Sequence, residues 1–152
     1  MYRYIRPLFD GPIDVVGDIH GEIDALDALL ARLGYDRDGR HPKGRHLVFV
    51  GDFVDRGPDS PAVVERVATM VEAGRAQCVL GNHELNLLRG ESKEGNGWFR
   101  DEAEDHDLAR GLFPASRRAS ATQRADFLRW FDSQPVALER PGLRVVHACW
   151  HA

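Results

Sequence analysis

The stretch His46-Leu-Val-Phe-Val-Gly-Asp-Phe-Val-Asp-Arg-Gly-Pro58 decides how the rest of the chain is read. Its opening residues form an apolar, valine-rich run that predicts a short strand, stopped at Gly51-Asp52. Upstream, Ile13-Asp-Val-Val16 predicts another strand, stopped at Gly17-Asp18. Downstream, Gln77-Cys-Val-Leu80 predicts a third, stopped at Gly81-Asn82. Helical periodicity fills the intervals. Ile23, Leu26, Leu29, Leu30 and Leu33 recur at spacings of three and four ahead of Gly34. Asp59 or Ser60 can cap a second helix with Pro61 in its first turn, Val63, Val64, Val67, Met70 and Val71 on its apolar face, and Gly74 as its stop. Strands alternating with helices at this spacing predict parallel βαβ units.

The later chain is less regular. Residues 91–107 carry seven acidic against two basic side chains around Gly95, Gly97 and the pair Trp98-Phe99, and are expected to form a partly helical, solvated excursion rather than core. Residues 110–129 are basic, and within them Ser120-Ala-Thr-Gln123 has the form of a capping box ahead of Phe127, Leu128 and Phe131, which predicts a third long helix. Val136-Ala-Leu138 and Leu143-Arg-Val-Val146 flank Glu139-Arg-Pro-Gly142 as a hairpin.

With 152 residues, 43% hydrophobic and 29% charged, the composition is that of one globular domain and excludes disorder as the main state. A net charge of −4 gives no sign of a broad nucleic-acid surface. No stretch approaches the roughly 18–20 apolar residues of a membrane helix, and residues 1–9 hold no signal-peptide run. Cys78 and Cys149 make neither a disulfide framework nor a zinc-type spacing. A soluble cytoplasmic protein is expected, with neither nucleic acid nor membrane as partner and its oligomeric state left open.

Each of the three strands ends on glycine followed by a side chain competent to bind metal. In parallel sheets the carboxyl ends of the strands form one edge, and ligands bind there. That edge would gather Asp18, His20, Asp52, Asn82 and His83, and His147, after Val145-Val146, extends the pattern to a fourth strand. Carboxylate oxygen, amide oxygen and imidazole suit manganese, iron or zinc better than a metal that favours thiolates. Two ions about 3.5–4 Å apart, sharing one carboxylate, would use this many ligands and act in phosphoester hydrolysis. Gly-Asp-x-x-Asp-Arg-Gly arises by chance about once per million positions, and three such segments at regular spacing make coincidence negligible.

Gly17-Asp-Ile-His-Gly21, Gly51-Asp-Phe-Val-Asp-Arg-Gly57 and Gly81-Asn-His-Glu84 resemble the three signatures of the calcineurin-like metallophosphoesterases. The Asp-Arg-Gly ending resembles the phosphoprotein-phosphatase branch. That branch includes Ser/Thr protein phosphatases, the phage lambda-type phosphatase and bacterial symmetrical diadenosine-tetraphosphate hydrolases. The likeness covers residues 13–90 and returns at His147. It implies a metallophosphoesterase-type α/β sandwich, βαβ units with helices flanking a central sheet. It implies two divalent metal ions, manganese foremost with iron or zinc as alternatives: Asp18 and His20 on the first, Asp52 bridging both, Asn82 and His147 on the second. A hydroxide between the metals would attack phosphorus. Arg56 would grip phosphate oxygens with its planar fork. His83 would protonate the leaving oxygen, with Asp55 fixing its tautomer.

The substrate so implied is a phosphate monoester, foremost phosphoserine or phosphothreonine in a protein. The alternative is symmetrical cleavage of a bis(5'-nucleosyl)-tetraphosphate, and a nuclease or phosphodiesterase ranks lower. A reading of another class is a catalytically incomplete remnant that binds metal or phosphoprotein. The family's further metal-ligating His lies downstream, so the single domain 1–152 is expected to be incomplete C-terminally. His147 is followed by Ala-Cys-Trp, where protein phosphatases show Gly-Gly and the tetraphosphate hydrolases Ala-Gly. Plainer roles are also open. Asp18, Asp52 and Asn82 can cap helices, Glu84 suits a first helical turn, and Arg56 can pair at the surface. Cys149 suits a buried filler, while His41, His46, His106 and His151 lack any motif.

Overall fold

In a computed structural model that describes residues 4–100 and 111–148, the elements run β1 (Ile5–Pro7), β2 (Ile13–Val16), α1 (Ile23–Leu33), β3 (His46–Phe49), α2 (Ser60–Glu72), β4 (Ala76–Cys78), α3 (Asn82–Leu88), α4 (Ala121–Ser133), β5 (Ala137–Arg140) and β6 (Leu143–Val146). Strands β2, β3 and β4 pair in parallel in that order, with Ile13 opposite His46 and Leu47 opposite Ala76. Parallel neighbours need a crossover, which α1 and α2 supply. The second sheet is ordered β1-β5-β6, with β1 parallel to β5 and the β5–β6 hairpin antiparallel.

β3 shows how the layers stack. Alternate strand residues point to opposite faces. Leu47 and Phe49 join a large core with Leu26 and Leu30 of α1, Val63, Val67 and Met70 of α2, Leu87 of α3, and Phe127 and Phe131 of α4. Val48 instead joins Leu8, Val79, Leu138 and Val145, the smaller core between the sheets. The fold is therefore the expected α/β sandwich, with the described helices gathered on one face of the parallel sheet and the second sheet covering the other.

Local signals set the boundaries. Gly34, in the left-handed conformation, closes α1 with its N–H on the carbonyls of Ala31 and Leu30. Asp59 caps α2 by accepting from the Ala62 N–H at 2.8 Å. Ser120 and Gln123 cap α4 reciprocally. Two features depart from the sequence expectation. β1 is a strand that no alternation announces, formed by pairing with β5. The excursion after α3 is not all solvated: Trp98 is fully buried and Phe99 only 6% exposed, because burying two aromatic rings outweighs their acidic neighbours in sequence. Residues 101–107 of that excursion, with His106, Cys149 and His151, lie outside the described residues.

A polar clasp ties β2 to the loops that follow α1. Asp14 accepts from Tyr35 Oη at 2.7 Å and from Arg45 Nε at 2.7 Å, and Arg45 Nη2 reaches its other oxygen. The Arg45 hydrogen bonds, against partial burial, hold the Asp14 carboxyl down at about 2. A depressed carboxylate pKa stabilises the fold above its ordinary value, and that contribution is lost as pH falls from about 4 toward 2. Asp14→Asn is expected to cost about 1–2 kcal/mol at pH 7. Its gap from the wild type narrows below pH 4, as urea midpoints measured from pH 7 to pH 3 will show.

Candidate metal centre

The carboxyl ends of four strands meet at one edge. Asp18 and His20 follow β2; Asp52, Asp55 and Arg56 follow β3; Asn82 and His83 open α3 after β4; His147 follows β6. Candidate ligand atoms of His20, Asp52 and His83 all lie within 4.8 Å of one another, as do those of Asp18, Asp52 and His147. Asp18 Oδ2 lies 3.9 Å from His20 Nε2, the partner the resemblance gives it, and also groups with Asp52 and His147. Asp52 belongs to both groups, as a bridging ligand must.

Backbone bonds lock the loops together. The N–H groups of Ile19 and His20 both donate to the Asp52 carbonyl at 3.0 Å, and Gly21 N–H donates to the Phe53 carbonyl at 2.8 Å. Beneath them Glu84 is fully buried. Its Oε2 accepts from the N–H of Asp52 and of Gly81, each at 2.9 Å, and its Oε1 from Phe53 N–H at 2.8 Å. Burial pushes the Glu84 carboxyl up to about 7, with the Asp52 charge adding to the rise and the three N–H donors opposing it. Gly81 is required by space: a Cβ there would stand 2.1 Å from Asp52 Oδ1. That same oxygen accepts from His83 N–H at 3.0 Å.

Four site residues hold left-handed backbone: His20 at φ 48°, Asp52 at 51°, Asp55 at 72° and Arg56 at 71°. Among the described residues, no other non-glycine residue has positive φ. Such strain persists only where the surroundings over-determine it, and it clusters at functional sites. Nothing in the residue types announces it.

The histidines divide by what their Nδ1 does. His20 Nδ1 donates to the Val54 carbonyl at 3.0 Å and His147 Nδ1 to the Val50 carbonyl at 2.8 Å. Each neutral ring then offers only a lone pair at Nε2. His147 Nε2 faces Asn82 Oδ1 at 3.0 Å and Asp52 Oδ2 at 3.4 Å. Three acceptors so close together repel unless a cation or a proton lies among them, and the oxygen-and-imidazole set fits a divalent metal. His83 is different. Its Nδ1 bonds Asp55 Oδ2 at 2.7 Å, which leaves Nε2 4.0 Å from Asp52 Oδ2. The hydrogen-bonded Asp55 carboxylate raises the His83 pKa above the usual imidazole value, against partial burial. This ring is built to carry a proton. The exposed Arg56 reaches back to His20, its Nη1 donating to Nε2 at 3.3 Å. Cys78 is buried, its thiol pKa raised by desolvation and its Sγ 3.7 Å from Gln134 Oε1, so it packs rather than reacts.

Two contributors escape the sequence reading. Glu84 shows only as a first-turn acid, and Trp98, whose Nε1 donates to Asp55 Oδ1 at 2.6 Å, falls in the segment read as solvated. The adjacent large aromatic residues Trp98-Phe99 are the available signal.

Residues 11–148 match the calcineurin-like phosphoesterase family. The chain is 36% identical over 144 residues to the asymmetrical bis(5'-nucleosyl)-tetraphosphatase PrpE of Geobacillus sp. (strain WCH70), covering 90% of this chain and 56% of that protein. It is 34% identical over 140 residues to the symmetrical bis(5'-nucleosyl)-tetraphosphatase of Ralstonia nicotianae, covering 90% and 41%. The crystal structure of a protein assigned as a diadenosine tetraphosphatase superimposes with a TM-score of 0.63 at 28% identity, over 99% of this chain and 56% of that one. The chain spans about half the length of the curated relatives it matches. It belongs to the calcineurin-like phosphoesterase family, whose members use divalent metals.

Proposed function

We propose that this chain carries the hydrolytic site of a metal-dependent bis(5'-nucleosyl)-tetraphosphatase. The observation that carries the reading is the shared Asp52 carboxylate, placed in both ligand groups with the His83–Asp55 pair beside it. The motifs alone put phosphate monoesters first. The names of the relatives favour the nucleotide alternative, and both substrates call for the same chemistry.

Asp18, His20, Asp52, Asn82 and His147 would hold a pair of divalent cations, which when bound supply electrophilic charge and an activated water. The protein's own groups do the rest. Arg56, exposed at the rim, offers its planar fork to two phosphate oxygens, which a lysine does not match. His83 Nε2 faces the centre while Asp55 holds Nδ1, so the ring presents a proton to the leaving phosphate oxygen.

Incubation with diadenosine tetraphosphate and Mn²⁺, followed by anion-exchange separation, tests the reading. Symmetrical cleavage yields only ADP, asymmetrical cleavage ATP with AMP, and chelation stops either. Hydrolysis of an aryl phosphate with the tetraphosphate left intact would restore the monoester reading. No hydrolysis of either substrate by metal-loaded chain would overturn both.

A further inference from the structure

We infer that Trp98 is a positioning residue for the reaction, holding Asp55 so that Asp55 can aim His83; the inference rests on the functional reading above. Asp55 is fully buried and its two oxygens are divided between two rings. Oδ2 bonds His83 Nδ1 at 2.7 Å, and Oδ1 accepts from Trp98 Nε1 at 2.6 Å. A buried carboxylate gripped at both oxygens cannot rotate, and a donor aimed at its charge is stronger there than in water. The indole hydrogen bond fixes the plane in which the Asp55 carboxylate lies. Held in that plane, Asp55 Oδ2 engages His83 Nδ1 and leaves Nε2 directed at the centre.

The indole is itself held. Trp98 is fully buried, with its ring 5.1 Å from the Phe99 ring and 6.2 Å from that of Phe127 on α4. Its carbonyl accepts from the Ala119 N–H at 2.9 Å. Three residues earlier, the Gly95 carbonyl accepts from the Arg56 N–H at 3.2 Å. A Cβ on Gly95 would stand 2.8 Å from that nitrogen, so the approach needs a glycine. The turn from Gly95 to Trp98 thus braces two of the left-handed residues of the motif, Asp55 through its side chain and Arg56 through its backbone. A buried indole N–H must find an acceptor, and Trp98 delivers its own to the group behind the proton donor.

The test is Trp98→Phe, which keeps an aromatic ring in the core and removes the donor. On Mn²⁺-loaded protein and diadenosine tetraphosphate, kcat is expected to fall about tenfold or more, the effect of losing a hydrogen bond to a charged group, with KM little changed. In an Asp55→Asn background the same substitution is expected to cost nothing further. Equal losses in both backgrounds would overturn the inference, because a purely structural role adds independently of Asp55. A second readout needs no turnover. The chain has three tryptophans, so ¹⁵N labelling gives three indole resonances. The one that Trp98→Phe removes is expected farthest downfield and to shift in Asp55→Asn. If Asp55→Asn leaves it in place, the inference is wrong even if turnover falls. A wild type that leaves the tetraphosphate intact would overturn the functional reading, and the indole resonance would still decide whether Trp98 holds Asp55.

Discussion

Asp52→Asn is expected to abolish tight divalent-metal binding and turnover together, by more than the roughly 10–100-fold loss typical of a residue that only supports a ligand. Asp52 is 4% exposed and its carboxylate is in both ligand groups. Oδ1 is occupied by the His83 N–H, while Oδ2 faces His147 Nε2 at 3.4 Å. The substitution keeps the shape and turns one acceptor into a donor, removing the charge that two cations would share. Asparagine tolerates the left-handed backbone that Asp52 adopts at φ 51°, so folding is not the casualty. In metal-free protein the change also relieves the repulsion between Asp52 and the buried Glu84. Calorimetric titration with Mn²⁺ beside a thermal melt in chelator checks both parts. Wild-type affinity in the variant would contradict the bridging role, and a collapsed melting temperature would make the loss one of folding.

Glu84→Ala is expected to cost about 3 kcal/mol or more of stability, the largest effect of a single side chain away from the ligands. The carboxylate is fully buried and accepts three backbone N–H groups, from Asp52, Phe53 and Gly81. Truncation orphans all three at about 1–3 kcal/mol each before any water enters the space. It also unties the loop after β3 from the start of α3, so metal affinity falls with stability. Glu84→Gln should be milder, since one amide oxygen still accepts while the NH₂ meets a donor. Urea denaturation of the two variants in chelator reads the difference. A Glu84→Ala chain within 1 kcal/mol of wild type would show that solvent replaces those bonds.

What was legible in the sequence follows from how local each signal is. β2, β3 and β4 each carry an apolar run ended by glycine, and the same glycines and acids that stop the strands form the site, so strand ends and ligands were read together. Capping at Asp59 and Ser120 depends on residues three positions apart and was equally visible. β1 was not, because Ile5-Arg-Pro7 becomes a strand only through pairing with β5 at the far end of the chain. Glu84 looked like an ordinary first-turn acid, and its three-fold grip needs loops that converge only in space. Trp98 was masked by its acidic neighbours, and burial against Phe127 overrode them. The left-handed backbone of His20, Asp52, Asp55 and Arg56 is rare for any non-glycine residue, even for Asp and His, which visit it more than most, so only the assembled site reveals it.

Titration of the wild-type chain with Mn²⁺, followed by electron paramagnetic resonance, addresses the central claim most directly. If Asp52 lies between two cations about 3.5–4 Å apart, two ions bind per chain with a spin-coupled spectrum, and the coupling disappears in Asp52→Asn. A single bound ion, or two ions with uncoupled spectra, would contradict a shared-carboxylate centre.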